Sequence, residues 1–335
     1  MKYRNLKLTI SSSPHAHSKN STAVIMRDVC IALLPALIAA ICFFGLRALS
    51  MTVISVAASV FFEWGYRKLM NKSNTVGDWS AVVTGMLVAF VCPVTLPYWT
   101  LVIGDFFAIV VVKQLFGGIG MNIVNPALAA RAFLFSWPSL MSGNWLKPGV
   151  HLGIPDGITD VDAMTAATPM AALSNGELPA ESLLDLFLGK VGGSFGEISA
   201  LLLILGGVYM VVRKVISVRI PLAYILTVAV LTFAFPLGGN CRMDWMLYQL
   251  LSGGLMLGAI FMATDYTTSP VTHGGQIVFG IGCGALTVAL RYFGSYPEGV
   301  SYAILIMNCC VGFFDKIGIP KRFGLVKKQK GGEAK

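Results

Sequence analysis

Thr165 and Thr168 stand in Asp162-Ala163-Met164-Thr165-Ala166-Ala167-Thr168-Pro169, within the only long polar interval of the chain, from about Trp137 to Glu197. A threonine hydroxyl in an unpacked loop, flanked by small residues, is open to covalent esterification by a modifying enzyme. Taken alone the octapeptide reads equally as an ordinary small-residue turn. A second set of polar side chains, Asn122 and Asn125, lies in an apolar segment that continues through Ala127, Ala130 and Arg131. Amides in such a medium must find hydrogen-bond partners, and a spacing of three predicts one shared helix face. Helix–helix bonding, worth on the order of 1 kcal/mol, would satisfy them. So would a ligand rich in donors and acceptors, and the alanines leave room for a planar ring. A third set, Asp78, Asp105 and Asp265, lies at or within apolar segments, where carboxylates are candidates for an ion path. Asp265 precedes Tyr266-Thr267-Thr268-Ser269-Pro270, a polar break offering carbonyl and hydroxyl ligands to Na+. Helix-end capping accounts for Asp78 and Asp265 as well. Arg131 is a candidate anion or ring contact, its plain alternative being an interhelical salt bridge with Asp105. Glu63 and Glu298, near segment ends, carry no specific signal.

The elements that position these residues are membrane spans. The chain of 335 residues is 56% hydrophobic and 12% charged, against about a quarter charged in soluble proteins. Ten spans are predicted, near 29–46, 50–66, 79–92, 98–115, 119–137, 197–212, 220–236, 245–263, 276–293 and 299–315. Several fall short of the roughly 20 residues of a straight span, which predicts broken helices packed inside protein. The first apolar run begins after Asp28, too late and too long for a cleaved signal peptide. A net charge of +9 raises nucleic acid as a partner, but the bases flank spans and read as topological signals. With the N-terminus inside, nineteen Lys and Arg fall on the cytoplasmic side and five on the other. Both termini are therefore predicted to be cytoplasmic and the Thr168 loop extracytoplasmic.

Five spans on each side of that loop predict two inverted repeats, 29–137 and 197–315, with a tail at 1–28, the loop at 138–196 and a basic tail at 316–335. Thr84 to Phe90 followed by Pro93 and Pro97, and Ser252 to Ala259 followed by Pro270, read as helices that stop partway, the pattern that marks a central binding site. The seven cysteines form no Cys-x-x-Cys pair, which argues against an iron–sulfur cluster. His15, His17 and His273 have no partners at metal-ligand spacing, and no metal site is expected.

These stretches together resemble the D-type membrane proteins of the Rnf electron-transport complex, a chain between ferredoxin and NAD coupled to ion movement. The likeness rests on Ser12-Ser13-Pro14-His15, the run from Gly120 to Arg131, and the Ala-Thr-Pro motif ending at Pro169. It extends over essentially the whole chain. The related B-type component of the sodium-pumping NADH:quinone oxidoreductase is similar too, but usually has a longer N-terminal region. The resemblance implies an all-α integral membrane fold like that of ammonium and urea channels. It implies FMN esterified through its phosphate to Thr168, with Thr165, Ala166, Ala167 and Pro169 as the attachment motif; Ala166 stands where the fullest form of the motif has glycine. It also implies a non-covalent riboflavin near Asn122 and Asn125, and a place in the inner membrane.

A flavin passes electrons singly, so two at different depths would form steps across the membrane. The chain carries no nicotinamide motif and no ferredoxin-type cysteine set, so other subunits must deliver and remove electrons, and a flavin transferase must mature it. It would act as one part of a redox-driven ion translocase and not catalyse alone. The other readings are the quinone-reductase homologue and, from a different class, a small-solute channel or transporter on the same repeat plan. A solute channel has no use for the Thr168 loop.

Overall fold

The computed structural model describes residues 21–141, 145–146, 168–197, 199–294 and 298–318. Among these the chain is helical, with no β-strand. Thr165, Ala166 and Ala167, the N-terminal Ser12–His15 signature with His17, and the basic tail beyond 318 lie outside the described residues.

Helices α1 (Thr22–Phe44), α2 (Leu46–Leu69) and α13 (His273–Phe293) are each long and apolar enough to cross a bilayer. Ser21 caps α1 through its hydroxyl, and Gly45, at φ 76°, makes the reversal into α2. Left-handed backbone there suits glycine because a Cβ would clash. Helix α11 (Arg242–Leu251) meets α12 (Leu255–Leu257) and the π-helical segment Gly258–Met262 at a 63° bend, and the pair is long enough to cross as one broken span. The chain is a multi-pass membrane protein, and the apolar side chains exposed along α1, α2 and α10 (Arg219–Ala234), such as Ile38, Val53 and Leu226, face lipid without cost.

Shorter helices complete the bundle. Helix α3 (Ser80–Phe90) is buried nearly all round, and α4 (Tyr98–Phe106) runs into a second π-helical segment, Phe107–Gln114. Helices α5 (Pro126–Leu134) and α14 (Val300–Cys309) pack on each other. Helix α9 (Ala200–Val212) lies against α1. Gly206 of α9 allows that closeness, because a Cβ there would run into the Ala32 carbonyl of α1, and Gly207 does the same toward Ile260 of the π-helical segment Gly258–Met262. Asp28 and Arg213 pair at 3.1 Å across the α1–α9 contact. Around the polar interval only α6 (Pro138–Met141), α7 (Pro169–Ser174) and α8 (Leu183–Leu188) are described.

The chain leaves helix at 91–97, after Phe90 as expected, and after Met262, ahead of Pro270. It also leaves helix at 252–254, inside the stretch expected to be helical, and a buried arginine takes freed carbonyls at 91–97 and at 252–254. Arg47 donates to the Val94 and Leu96 carbonyls at 2.9 and 3.3 Å. Arg291 donates to those of Gln249, Ser252 and Gly253 at 2.6, 3.0 and 3.4 Å. Irregular backbone at membrane depth is tolerated only when satisfied in this way.

The fifth predicted span needs correction. Helix is confined to Pro126–Leu134 and 115–125 is turn, with Gly117, Gly118 and Gly120 at positive φ. Asn122 and Asn125 therefore share no helix face. Asn125 precedes a proline, which disfavours helical backbone, and sits extended at φ −64°, ψ 122° as the N-cap of α5. His273, expected in a loop, opens α13.

Candidate functional site

Helix α5 links two cavities: its N-terminal residues line the first, and its Arg131 pairs with two glutamates that line the second. At its N-terminus, Asn125 Oδ1 accepts from the Ala127 and Leu128 N–H groups at 3.0 and 3.4 Å, and Nδ2 donates to the Met262 carbonyl at 3.2 Å. The Asn308 amide, with its nitrogen toward the Thr268 and Ile304 carbonyls, accepts from the Asn125 N–H at 3.2 Å. Asn122 donates to the Val124 carbonyl at 3.1 Å. Both asparagines line a narrow, partly open cavity, with Lys113, Thr84, Thr264 and Asp265 among its polar walls and Val83, Leu87 and Phe261 among its apolar ones. The pairing of the two amides expected from spacing is thus met in space, through a turn and not a helix face.

Arg131 lies six residues further along α5, about 9 Å at 1.5 Å per residue. Its guanidinium bridges two carboxylates, Glu197 at 2.5 Å and Glu298. Asp105 is not its partner. The two glutamates line the second, smaller cavity, together with Thr168, Ser194 and the glycines 192, 193, 253 and 254. Thr168 is half-buried and precedes α7, and its side chain makes no capping hydrogen bond. One charge against two leaves the cluster net negative when both acids are ionised.

The candidate ion-path carboxylates do not converge. Asp265 lines the first cavity and accepts from the Thr267 and Thr268 hydroxyls at 2.9 and 3.1 Å; Thr272, not Asp265, caps α13. Asp78 is half-buried in a 3₁₀ turn, Val76–Asp78, and does not cap α3, whose N-cap position is Trp79. Asp105 is fully buried between α2 and α4, its Oδ1 accepting from Ser55 at 2.7 Å and Ser59 at 3.3 Å. Glu63 proves structurally specific: it pairs with Lys113 at 2.7 Å, accepts from the Thr75 hydroxyl, and the same ammonium donates to the Ser80 hydroxyl. Among the described residues no three His, Cys, Asp or Glu are grouped to hold a metal ion.

The partners Glu197 and Glu298 stand 66 and 167 residues from Arg131, beyond any local pattern. A signal did exist for the α2 residues: Ser55, Ser59, Glu63 and Arg67 recur every fourth position, one stripe of a helix.

The sequence profile of the NQR2, RnfD, RnfE family matches residues 9–324. The D component of the Na(+)-translocating ferredoxin:NAD(+) oxidoreductase complex of Acetobacterium woodii is 48% identical over 333 residues, covering 98% of this chain and 99% of that one. Its counterpart in the proton-translocating complex of Clostridium ljungdahlii is 41% identical, covering 94% and 96%. The D component of an ion-translocating oxidoreductase complex of Actinobacillus succinogenes is 33% identical, covering 94% and 97%. With its whole helical region matched by one profile and by relatives of the same length, the chain belongs to the NQR2, RnfD, RnfE family.

Proposed function

We propose that the chain is the flavin-bearing membrane subunit of an Rnf-type, ion-translocating ferredoxin:NAD oxidoreductase, relaying electrons across the membrane between two flavins. The observation that carries this reading is the placement of Asn125 and Thr168 on two cavities linked through α5: Asn125 caps the helix at the first, and Arg131 of the same helix pairs with Glu197 and Glu298, which line the second beside Thr168. FMN joined by a phosphoester to Thr168 fits the smaller cavity's mouth, where a hydroxyl without a cap bond stands among small glycines. Riboflavin fits the larger one, whose mixed apolar and amide or hydroxyl walls suit a planar ring with polar edges. When bound, the flavins supply the single-electron steps.

In this reading the protein fixes position and charge. Asn122 and Asn125 hold the inner ring's polar edge, and Asn125 also ties α5 to the second half. Arg131, held by Glu197 and Glu298, sets the charge at the outer flavin; direct contact with its phosphate or ring would require one carboxylate to let go. Asp78, Asp105 and Asp265 are candidates for the ion path, for H+ or Na+. Ten spans in two inverted repeats, 29–137 and 197–315, would place both termini inside and the Thr168 loop outside the cytoplasmic membrane, where a flavin transferase reaches it. Partner subunits bring and remove electrons.

The test is peptide mass spectrometry of protein matured in a host with the flavin transferase. An FMN-sized adduct on the peptide containing Thr165 and Thr168, lost in Thr168→Ala, is expected. An unmodified, colourless wild-type protein would overturn the reading.

A further inference from the structure

Asp105 occupies a position that the flavin sites do not explain. Its side chain is fully buried, and Oδ2 has no hydrogen-bond partner among the described residues. The bonds its other oxygen accepts come from neutral hydroxyls, Ser55 and Ser59. The buried or part-buried charged groups on the elements packed around it are Arg47, Glu63 and Arg67 on α2, Asp78 ahead of α3, Lys113 on the π-helical segment and Arg131 on α5, with the Cys92 thiol after α3, Tyr66 on α2 and Tyr98 at the start of α4 as further titratable groups and Lys68 on the exposed side of α2. Lys113 and Arg131 are committed to Glu63 and to Glu197 with Glu298. Arg47 holds the Val94 and Leu96 carbonyls, and Arg67 the carbonyl of Ser73.

Proton counting then becomes decisive. Ser55 Oγ lies 2.7 Å from Asp105 Oδ1 and 2.8 Å from the Gly85 carbonyl, yet a hydroxyl has one proton to give. Whichever acceptor takes that proton, an ionised carboxylate keeps only neutral hydroxyl donors on Oδ1 and, among the described residues, none on Oδ2, leaving a bare charge in a low-dielectric core, which is costly. A cation on the carboxylate removes that cost. A proton on Oδ1 would donate to Ser55, freeing Ser55 to donate to Gly85. Alternatively, Na+ would find both carboxylate oxygens, two hydroxyls and one carbonyl, the all-oxygen set that hard cations take.

A buried polar stripe runs from the site toward one end of α2. Ser59, Glu63 and Arg67 continue the α2 stripe from Ser55 to the end of the helix, about 18 Å at 1.5 Å per residue, while the next position the other way is buried Met51. The π-helical segment that begins two residues after Asp105 is a form enriched at functional sites.

We propose that Asp105, Ser55, Ser59 and the Gly85 carbonyl form an exchangeable site for one monovalent cation, H+ or Na+, reached along α2 from the end where Glu63 and Arg67 lie. This deepens the ion-path reading of Asp105, and the two fail separately. The experiment is infrared difference spectroscopy on the intact complex in liposomes, wild type against Asp105→Asn, following the carbonyl stretch of a protonated carboxylic acid. Loss of that band as pH rises, with no response to Na+, identifies the proton. Loss on adding Na+ at fixed pH identifies sodium. Ser55→Ala is expected to move either transition by about tenfold, as losing a charge-assisted hydrogen bond does. If the wild type and Asp105→Asn spectra do not differ under either titration, the site does not exist, whatever ion uptake does. If the band titrates but Asp105→Asn liposomes take up ions normally, the site stands and falls outside the transport path.

Discussion

The Arg131 cluster shows how much hangs on one guanidinium. Removing it leaves Glu197 and Glu298 facing each other without compensation, and breaking a buried pair in this way costs about 3–5 kcal/mol. Arg131→Ala is therefore expected to lower the unfolding temperature in detergent and the flavin content together. Arg131→Lys should rescue only in part, because an ammonium lacks the planar fork that serves two carboxylates at once. Unchanged flavin content and electron transfer in Arg131→Ala would remove it from the site. Asn125 offers a cleaner dissection. Asn125→Ser keeps an oxygen that can cap α5 but loses the donor to Met262, whereas Asn125→Ala loses both, a cap alone being worth about 0.5–2 kcal/mol. Thermal shift measurements should rank wild type, then Ser, then Ala. The residue types at these positions are legible from sequence, since an amide or arginine in an apolar run demands a partner. Which partner is not: Asp105 is the nearer candidate for Arg131 along the chain, and the two glutamates reach it only through the meeting of segments far apart in sequence.

At the scale of elements, close approach of helices is set by glycines and is testable one position at a time. A Cβ on Gly85 would lie 2.8 Å from Val56 Cα and 2.9 Å from the Ser55 carbonyl of α2, backbone that cannot swing aside. Gly85→Ala is expected to cost about 1–3 kcal/mol by overpacking and to disturb the Asp105 site through Ser55. Gly65→Ala, with nothing within 4 Å of the added carbon, should leave the unfolding temperature unchanged or slightly raised. Differential scanning fluorimetry in detergent separates the two. Hydropathy locates most of the helices because burial in lipid and in protein both demand apolar residues, and the proline and glycine clusters mark the breaks at 91–97 and 252–254 for the backbone reasons already given. It overruns at 119–137, where apolar composition hides positive-φ glycines and a proline. The π-helical segments are not legible at all: a change from one hydrogen-bond register to the next leaves no mark in the apolar pattern.

Across the whole molecule, the two buried arginines that satisfy the broken helices differ in one respect. Arg291 of α13 bonds to carbonyls of α11 and the 252–254 break, all of which precede it in the chain. Arg47 bonds to Val94 and Leu96, which follow it by 47 and 49 residues. An arginine in the middle of a helix resists membrane insertion by about 2.5–3.5 kcal/mol, and less toward the interface. As the chain emerges from the ribosome, Arg291 finds those acceptors already made and lacks only the Glu298 carbonyl, seven residues on, so α13 can enter lipid and dock at once. Arg47 has none of those two carbonyls until the 91–97 segment has been synthesised. Arg47 is the second residue of α2, beside the Gly45 reversal, so the α1–α2 hairpin can enter lipid with that arginine at the headgroup layer, and the two carbonyls reach it when α3 and the loop beyond it arrive. Truncated nascent chains should show this as protection of position 47 that rises once the chain extends past residue 97, the first half of the bundle closing during its own translation.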